Sequence, residues 1–280
     1  MTRRKDLDPS SNPRALLGCE LRHARERKGI SQEALGAPLF VSGSFIGQLE
    51  AGTRRMHLEY AQHFDEVLDT GGFFARNCRA VAKSKYPDHF AEAAEAEAAA
   101  TAIKQYAALL IPGLLQTRAY ATEIFRAYHP TATDDTISTQ VEVRLERAHL
   151  LDNPTTPLLW TIVDEAALRR VVGSGTVMAE ALRHVGGLAR QHRVIVQVLP
   201  FGAGAHASMA GTLKLMEFAD APPLCFVEGP DMGRLLDDPV TVARHTLMLN
   251  LLQATALSPK KSLALLESVA QDYEHGEQHP

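Results

Sequence analysis

LGCELRHARERKGISQEALGAPLFVSGSFIGQLEAGTRR, residues 17–55, decides how the first part of this chain folds. Leu16, Leu17, Leu21 and Ala24 follow helical spacing, and Lys28-Gly29 ends that helix with a residue that tolerates a left-handed turn. Ser31 is a side-chain cap for a second helix carrying Gln32, Glu33, Ala34 and Leu35, and Ser42 caps a third. Phe45, Ile46 and Leu49 form the apolar stripe of that third helix, and Ala51-Gly52 closes it. Leu35, Val41, Ile46 and Leu49 are the expected inner core, with a tight turn at Leu39-Phe40-Val41. Two short capped helices held this way can set the second into a DNA major groove. Its open face would carry Gly43, Ser44, Gly47 and Gln48. The small residues permit close approach, and Gln48 can make paired hydrogen bonds to adenine. Arg54 and Arg55, just past the helix, are placed to neutralise phosphates.

Outward from this stretch, residues 1–12 are polar and charged and read as a disordered arm, and Pro13 suits a first helical position. A fourth helix is expected over 57–68, stopped by Thr70-Gly71-Gly72, which closes a DNA-binding domain at 13–75. Residues 76–90 read as a connector. A regulatory domain is expected over 91–272, followed by a polar tail at 273–280. It opens with an alanine- and glutamate-rich helix at 92–106, a break at Ile111-Pro112-Gly113, and helices at 114–128 and 134–151. Short strand-like runs at 158–163, 194–199, 213–218 and 224–227 follow, with a helix at 177–191 after the first. Helices at 239–256 and 259–272 end the pattern. The expected fold is mainly α with a smaller α/β part: a four- to five-helix N-terminal domain, then helices around a small sheet of about four strands.

Charge follows the same division. Residues 1–85 hold 14 Lys and Arg against 10 Asp and Glu, whereas the rest holds 15 against 23. A basic end on an acidic chain suits contact with a polyanion. No apolar run approaches the ~20 residues of a membrane span, and residues 1–10 lack the apolar stretch of a secretory signal. Three separated cysteines (Cys19, Cys78 and Cys225) lack metal-binding spacing and read as small core residues in a reducing compartment. The expected location is therefore cytoplasmic, associated with the nucleoid.

Residues 17–55 resemble the Xre/Cro/C1 family of phage-repressor-type helix-turn-helix proteins. The likeness lies in Leu21, Arg22, Arg25, Ile30-Ser31-Gln32-Glu33, Leu35, Val41-Ser42, Ile46, Leu49-Glu50 and Gly52. It implies base reading by Gly43, Ser44 and Gln48, and phosphate or outer contacts by Gln32 and Ser42. It also implies a structural ion pair between Arg25 and Glu50, and a lambda-repressor-like fold. Two departures stand out: Phe40 occupies a turn position where the family usually has Gly, and Pro38 should end the second helix early. Operators of the family tend to be inverted repeats, so the resemblance implies a homodimer on double-stranded DNA.

LLIPGLLQT (109–117), VDEAALRRVVG (163–173), VQVLPFGAGAH (196–206) and Ala256-Leu257-Ser258 carry a second likeness. They resemble the C-terminal domain of WhiJ-like, antitoxin-like actinobacterial Xre-type regulators. That resemblance implies control by a small toxin-like protein partner. A small-molecule effector is the alternative, with loop 201–211 as a candidate pocket wall. A third reading, an enzyme domain on a DNA tether, draws on Asp164 and Glu165 with His184, His192 and His206. His184 and His192 are eight apart, which does not put two ligands on one helical face, and Asp164-Glu165 more simply starts a helix. No catalytic, cofactor-binding or metal-binding residue is assigned.

Overall fold

The computed structural model describes Pro9, residues 13–78, Tyr86, residues 88–229 and residues 232–276. Most of the expected arm and connector, and residues 277–280 of the tail, lie outside these. The chain divides into two compact units. One holds residues 1–100, 216–226 and 231–244, and the other residues 101–215, 227–230 and 245–280.

The first unit begins with α1 (Pro13–Arg27), α2 (Gln32–Gly36), α3 (Gly43–Glu50), α4 (Leu58–Leu68) and α5 (Phe73–Asn77). Leu17, Leu21, Leu35, Ile46, Leu49, Phe64 and Phe74 pack into one buried cluster. Each fully buried Leu, Ile or Phe contributes ~1.5–3 kcal/mol, which is what orders helices as short as these. Gly18 lets α1 lie directly on the end of α3, since a Cβ there would stand 2.6 Å from the Leu49 carbonyl oxygen. The fold runs past residue 75 because Asp65 reaches across to cap α5. Its carboxylate accepts from Phe74 N at 2.9 Å and Ala75 N at 2.8 Å. The unit continues with α6 (Asp88–Ala99) and, further along the chain, β6 (Met232–Leu236), on which α6 packs.

The helix expected over 92–106 stops early. After α6 the chain turns at Ala100-Thr101 and becomes β1 (Ala102–Ala107). Alanine-rich composition masked the change of period, because Ile103 and Tyr106 are buried in a sheet rather than along a helix. The remaining elements are α7 (Arg118–Tyr128), α8 (Asp134–Ala148), β2 (Leu158–Asp164), α9 (Glu165–Arg169), α10 (Gly175–Arg190), β3 (Val194–Leu199), β4 (Thr212–Glu217), β5 (Leu224–Gly229), α11 (Pro239–Thr255) and α12 (Pro259–His275). Among the described residues the sheet has six strands, which corrects the expectation of about four. β1 was hidden in the helical reading, and β6 in a Gly- and Asp-containing run without clear alternation.

The sheet order is β3-β2-β1-β4-β5-β6. β1 and β2 are parallel, with Ala102 opposite Leu158 and Ala107 opposite Val163. β2 and β3 are also parallel, with Leu159 opposite Val194 and Asp164 opposite Leu199. The chain builds β1, β2 and β3 outward in one direction, then crosses to the far side of β1 to lay down β4. The outer edge of β3 is covered at Val198, whose O accepts from Leu257 N at 2.9 Å and whose N donates to the Ser262 hydroxyl at 2.9 Å. The LIPGLLQT segment folds within the second unit. Gln116 Nε2 donates to Ile111 O at 2.7 Å, Arg144 donates to Gln116 Oε1 at 2.9 Å, and Thr117 caps α7. The architecture is mainly α with a smaller α/β part, as the sequence pattern implied.

Candidate nucleic-acid interface and a polar cluster at the strand ends

Ser31 accepts from Ala34 N at 3.0 Å and starts α2. Residues 37–39 tighten into a 3-10 turn at Pro38, and Phe40 takes a left-handed conformation (φ 56°) with its ring 99% exposed. This turn position, where Gly is free of the Cβ penalty, is occupied here by a strained aromatic residue. Ser42 then accepts from Phe45 N at 3.1 Å and starts α3. The hydroxyl placed by resemblance as a phosphate contact therefore also serves as the helix cap.

Behind α3, Glu50 is fully buried and surrounded by donors. Arg25 Nε and Nη2 both bond its carboxylate, the latter at 3.1 Å. Gln32 Nε2 donates to it at 2.7 Å, and Arg22 lies at 3.7 Å. Arg25 also donates to Ile30 O at 2.9 Å, tying the end of α1 to the start of α2. Hydrogen bonding to Glu50 holds the Arg25 guanidinium above its ordinary range. The structure brings Arg25 and Glu50 together, and it turns Gln32, expected to face DNA, inward onto the same carboxylate.

The front of α3 is closed in this conformation. None of its eight residues is exposed: Gly43 and Gln48 are buried, and Ser44 and Gly47 are half-buried. A Cβ on Gly43 would stand 2.6 Å from Glu33 Oε1, so an acidic side chain lies across the helix start. Gln48 has no exposed surface, and among the described residues neither of its amide atoms has a hydrogen-bond partner. Arg54 stacks on Phe45, 4.3 Å from the ring centroid, and pairs with Asp237 at 3.0 Å and Glu92 at 3.6 Å. Glu92 also bonds His57 Nε2 at 2.6 Å. Burial pushes the Glu92 carboxyl up, but the His57 hydrogen bond and the charges of Arg54, His57 and Arg55 outweigh it and hold it below the usual carboxylate range. Arg55 is half-buried. Glu92 and Asp237 are residues that sequence reasoning missed, because they lie 38 and 183 positions from Arg54 and belong to no local pattern.

A second polar cluster forms where β1 and β2 end. Tyr106 OH donates to Asp164 Oδ2 at 2.8 Å and lies 3.3 Å from His206 Nε2. His206 Nε2 is 3.8 Å from Asp164 Oδ2. Asp164 Oδ1 accepts from Ala166 N at 2.9 Å and caps α9. Ser208 N donates to His206 Nδ1 at 3.3 Å, which leaves the proton of a neutral imidazole on Nε2. Glu165 is held by Arg169 at 2.7 Å and accepts from Phe201 N at 2.9 Å, which pins the loop after β3. Burial, then the hydrogen bond to Asp164, push the Tyr106 phenol well above its ordinary value, so it remains a donor. The sequence had singled out Asp164 and His206. Tyr106 was missed because its segment was read as helix.

His184 sits on α10, where burial lowers its pKa, and His192 in the turn after it takes a left-handed conformation. Neither contacts this cluster. Among the described residues no group of three or more His, Cys, Asp or Glu side chains could hold a metal, and no helix is long and apolar enough to cross a membrane. Cys78 and Cys225 are buried and Cys19 is half-buried, and burial pushes the Cys225 thiol up to about 12.

Two capped helices around a tight turn, braced by a buried carboxylate, define a helix-turn-helix protein, and residues 16–72 match the model described as a helix-turn-helix domain. Residues 90–268 match a domain of unknown function, DUF5753, and the chain belongs to that family. No curated protein and no solved structure matches the chain.

Proposed function

We propose that this protein is a sequence-specific transcriptional regulator of the Xre type that binds operator DNA as a cytoplasmic homodimer. Its second unit modulates that binding. The observation that carries the reading is the capped α2–turn–α3 unit braced by Arg25, Gln32 and Glu50, which holds α3 rigidly enough to read a groove. Arg54 and Arg55 supply the salt-sensitive phosphate attraction, and Ser44 and Gln48, with the close approach at Gly43, choose the site.

Because α3 has no exposed residue, operator binding follows an opening that frees Gln48 and breaks the pairs of Arg54 with Glu92 and Asp237. An unpartnered buried amide costs ~1–3 kcal/mol, which favours that opening. A ligand bound only by the open or only by the closed form shifts the balance between them. The likeness to antitoxin-like regulators supports a small toxin-like protein as that ligand. A small-molecule effector is favoured by the Tyr106–Asp164–His206 cluster.

The test is affinity-selected sequencing of genomic fragments bound by the full-length protein at two salt concentrations. One enriched inverted repeat, retained at the higher salt, is the expected result. Sequence-blind binding that salt erases, both for the intact protein and for a Glu92→Gln/Asp237→Asn variant, would sink the reading.

A further inference from the structure

We propose that the carboxyl ends of β1 and β2 form a binding site for a small organic amine with an apolar body, held through Asp164.

The location follows from topology. In open α/β sheets, ligands lodge outside the carboxyl ends of parallel strands where the strand order reverses, because neighbouring loops there diverge and leave a crevice. This sheet reverses between β1 and β4. Tyr106 stands near the carboxyl end of β1, Asp164 ends β2, and His206 lies on the connection that crosses from β3 to β4. These three side chains make hydrogen-bond contact across 58 and 100 positions of sequence, at the reversal itself.

The ligand class follows from charge and donors. Asp164 is partly buried, with 15% of its side chain exposed, yet among the described residues its one ion-pair partner is His206 at 3.8 Å. The nearby guanidinium of Arg169 is taken by Glu165. A carboxylate offers about four acceptor directions. Here one oxygen serves Ala166 N and the other Tyr106 OH, so acceptor capacity remains. Tyr106 is committed as a donor to Asp164, and its oxygen faces His206. An ammonium group supplies both the charge and the donors this arrangement lacks, whereas an anion would be repelled by Asp164 and Glu165.

The apolar body follows from the rim. Leu109 stands three residues past Tyr106, Met209 three past His206, and Phe201 two past the partner of Asp164 in the β2–β3 register. All are exposed, at 55%, 71% and 59%. The segments that carry the polar cluster thus also carry exposed apolar side chains, the residue type that lines ligand sites.

2-Phenylethylamine is the probe, with 2-phenylethanol and phenylacetate as its neutral and anionic counterparts. Each is titrated into the full-length protein without DNA, followed by calorimetry and by the His206 ring resonances. The amine should saturate in the low-millimolar range expected of a fragment and bind at least about tenfold more tightly than either counterpart. Asp164→Asn keeps a capping side chain but removes the charge, and should weaken the amine at least about tenfold. Met209→Ser, outside the hydrogen-bonded cluster, should weaken it about two- to threefold. The proposal is overturned if the amine fails to saturate by about 20 mM, if phenylacetate binds as well, or if Asp164→Asn leaves the amine affinity unchanged. Since no DNA is present, failure here leaves the operator reading standing, and failure of operator binding leaves this site standing.

Discussion

Glu50, behind α3, and Asp164, at the end of β2, are both carboxylates drawn away from water, and their surroundings differ in kind. Glu50 is fully buried and receives a guanidinium fork and an amide, with a second guanidinium nearby. Asp164 keeps some exposure, one hydroxyl, one backbone N–H and a histidine at 3.8 Å. A buried charge supplied with every partner it can use is part of the scaffold. One left short of a cation is poised to receive something. Gln48, on the other side of α3 from Glu50, extends the contrast, because its buried side-chain amide has no partner among the described residues. A single eight-residue helix thus has a finished back and an unfinished front.

The harshest way to break this comparison is Glu50→Gln, which strands the Arg25 charge in its pocket. Removing one member of a buried pair costs ~3–5 kcal/mol, and urea unfolding followed by helical circular dichroism should show a loss of that size in the first unit. A loss below ~1 kcal/mol would make Glu50 no more structural than Asp164. Next is Gln48→Ala. It should weaken the preferred operator by ~1–3 kcal/mol and relax its sequence preference, because a paired contact to one base is lost. If selectivity is unchanged in a competition assay, the front of α3 is as inert as its back.

Third is Glu92→Gln combined with Asp237→Asn, which removes the carboxylates that hold Arg54. Operator affinity should rise about tenfold, equivalent to ~1.4 kcal/mol. Fluorescence anisotropy with labelled operator reads this directly, and unchanged affinity would mean that these pairs do not restrain α3. The Glu92 carboxyl is held below the usual carboxylate range, so its pairing is complete throughout and above that range and lost only as pH falls through the lowered value. A titration between pH 6 and 8 should therefore not open the contact through Glu92. The smallest effect is on stability in Asp164→Asn: asparagine still caps α9, so the thermal unfolding of the second unit should change by less than ~1 kcal/mol.

What could be read in the sequence was local. Ser31 and Ser42 announce their helices by position, Pro38 shortens α2, and the Arg25–Glu50 pair was implied by the resemblance to phage-repressor-type helix-turn-helix proteins. The covering of α3 was not legible, because a helical wheel drawn on residues 43–50 shows which residues share a face but not what lies over it. The carboxylates that take Arg54 come from α6 and from beyond β6, and neither segment carries a pattern pointing to α3. The strand ends failed for a related reason. Asp164 and His206 stood out as chemistry, but the Ala-rich run ahead of β1 carried the helical reading through Tyr106, which joins them.

The covered edge of β3 bears on how two copies of this chain can meet. An outermost strand with free backbone groups is an invitation to any other extended segment, including the same strand of another molecule. Here Val198 gives its N–H to Ser262 and its carbonyl to Leu257, so that invitation is withdrawn near the carboxyl end of the strand by the chain itself. Strand-to-strand pairing through the carboxyl end of β3 is therefore closed as a route to assembly or to aggregation. Two copies of this chain that meet must therefore do so elsewhere than at that end of β3.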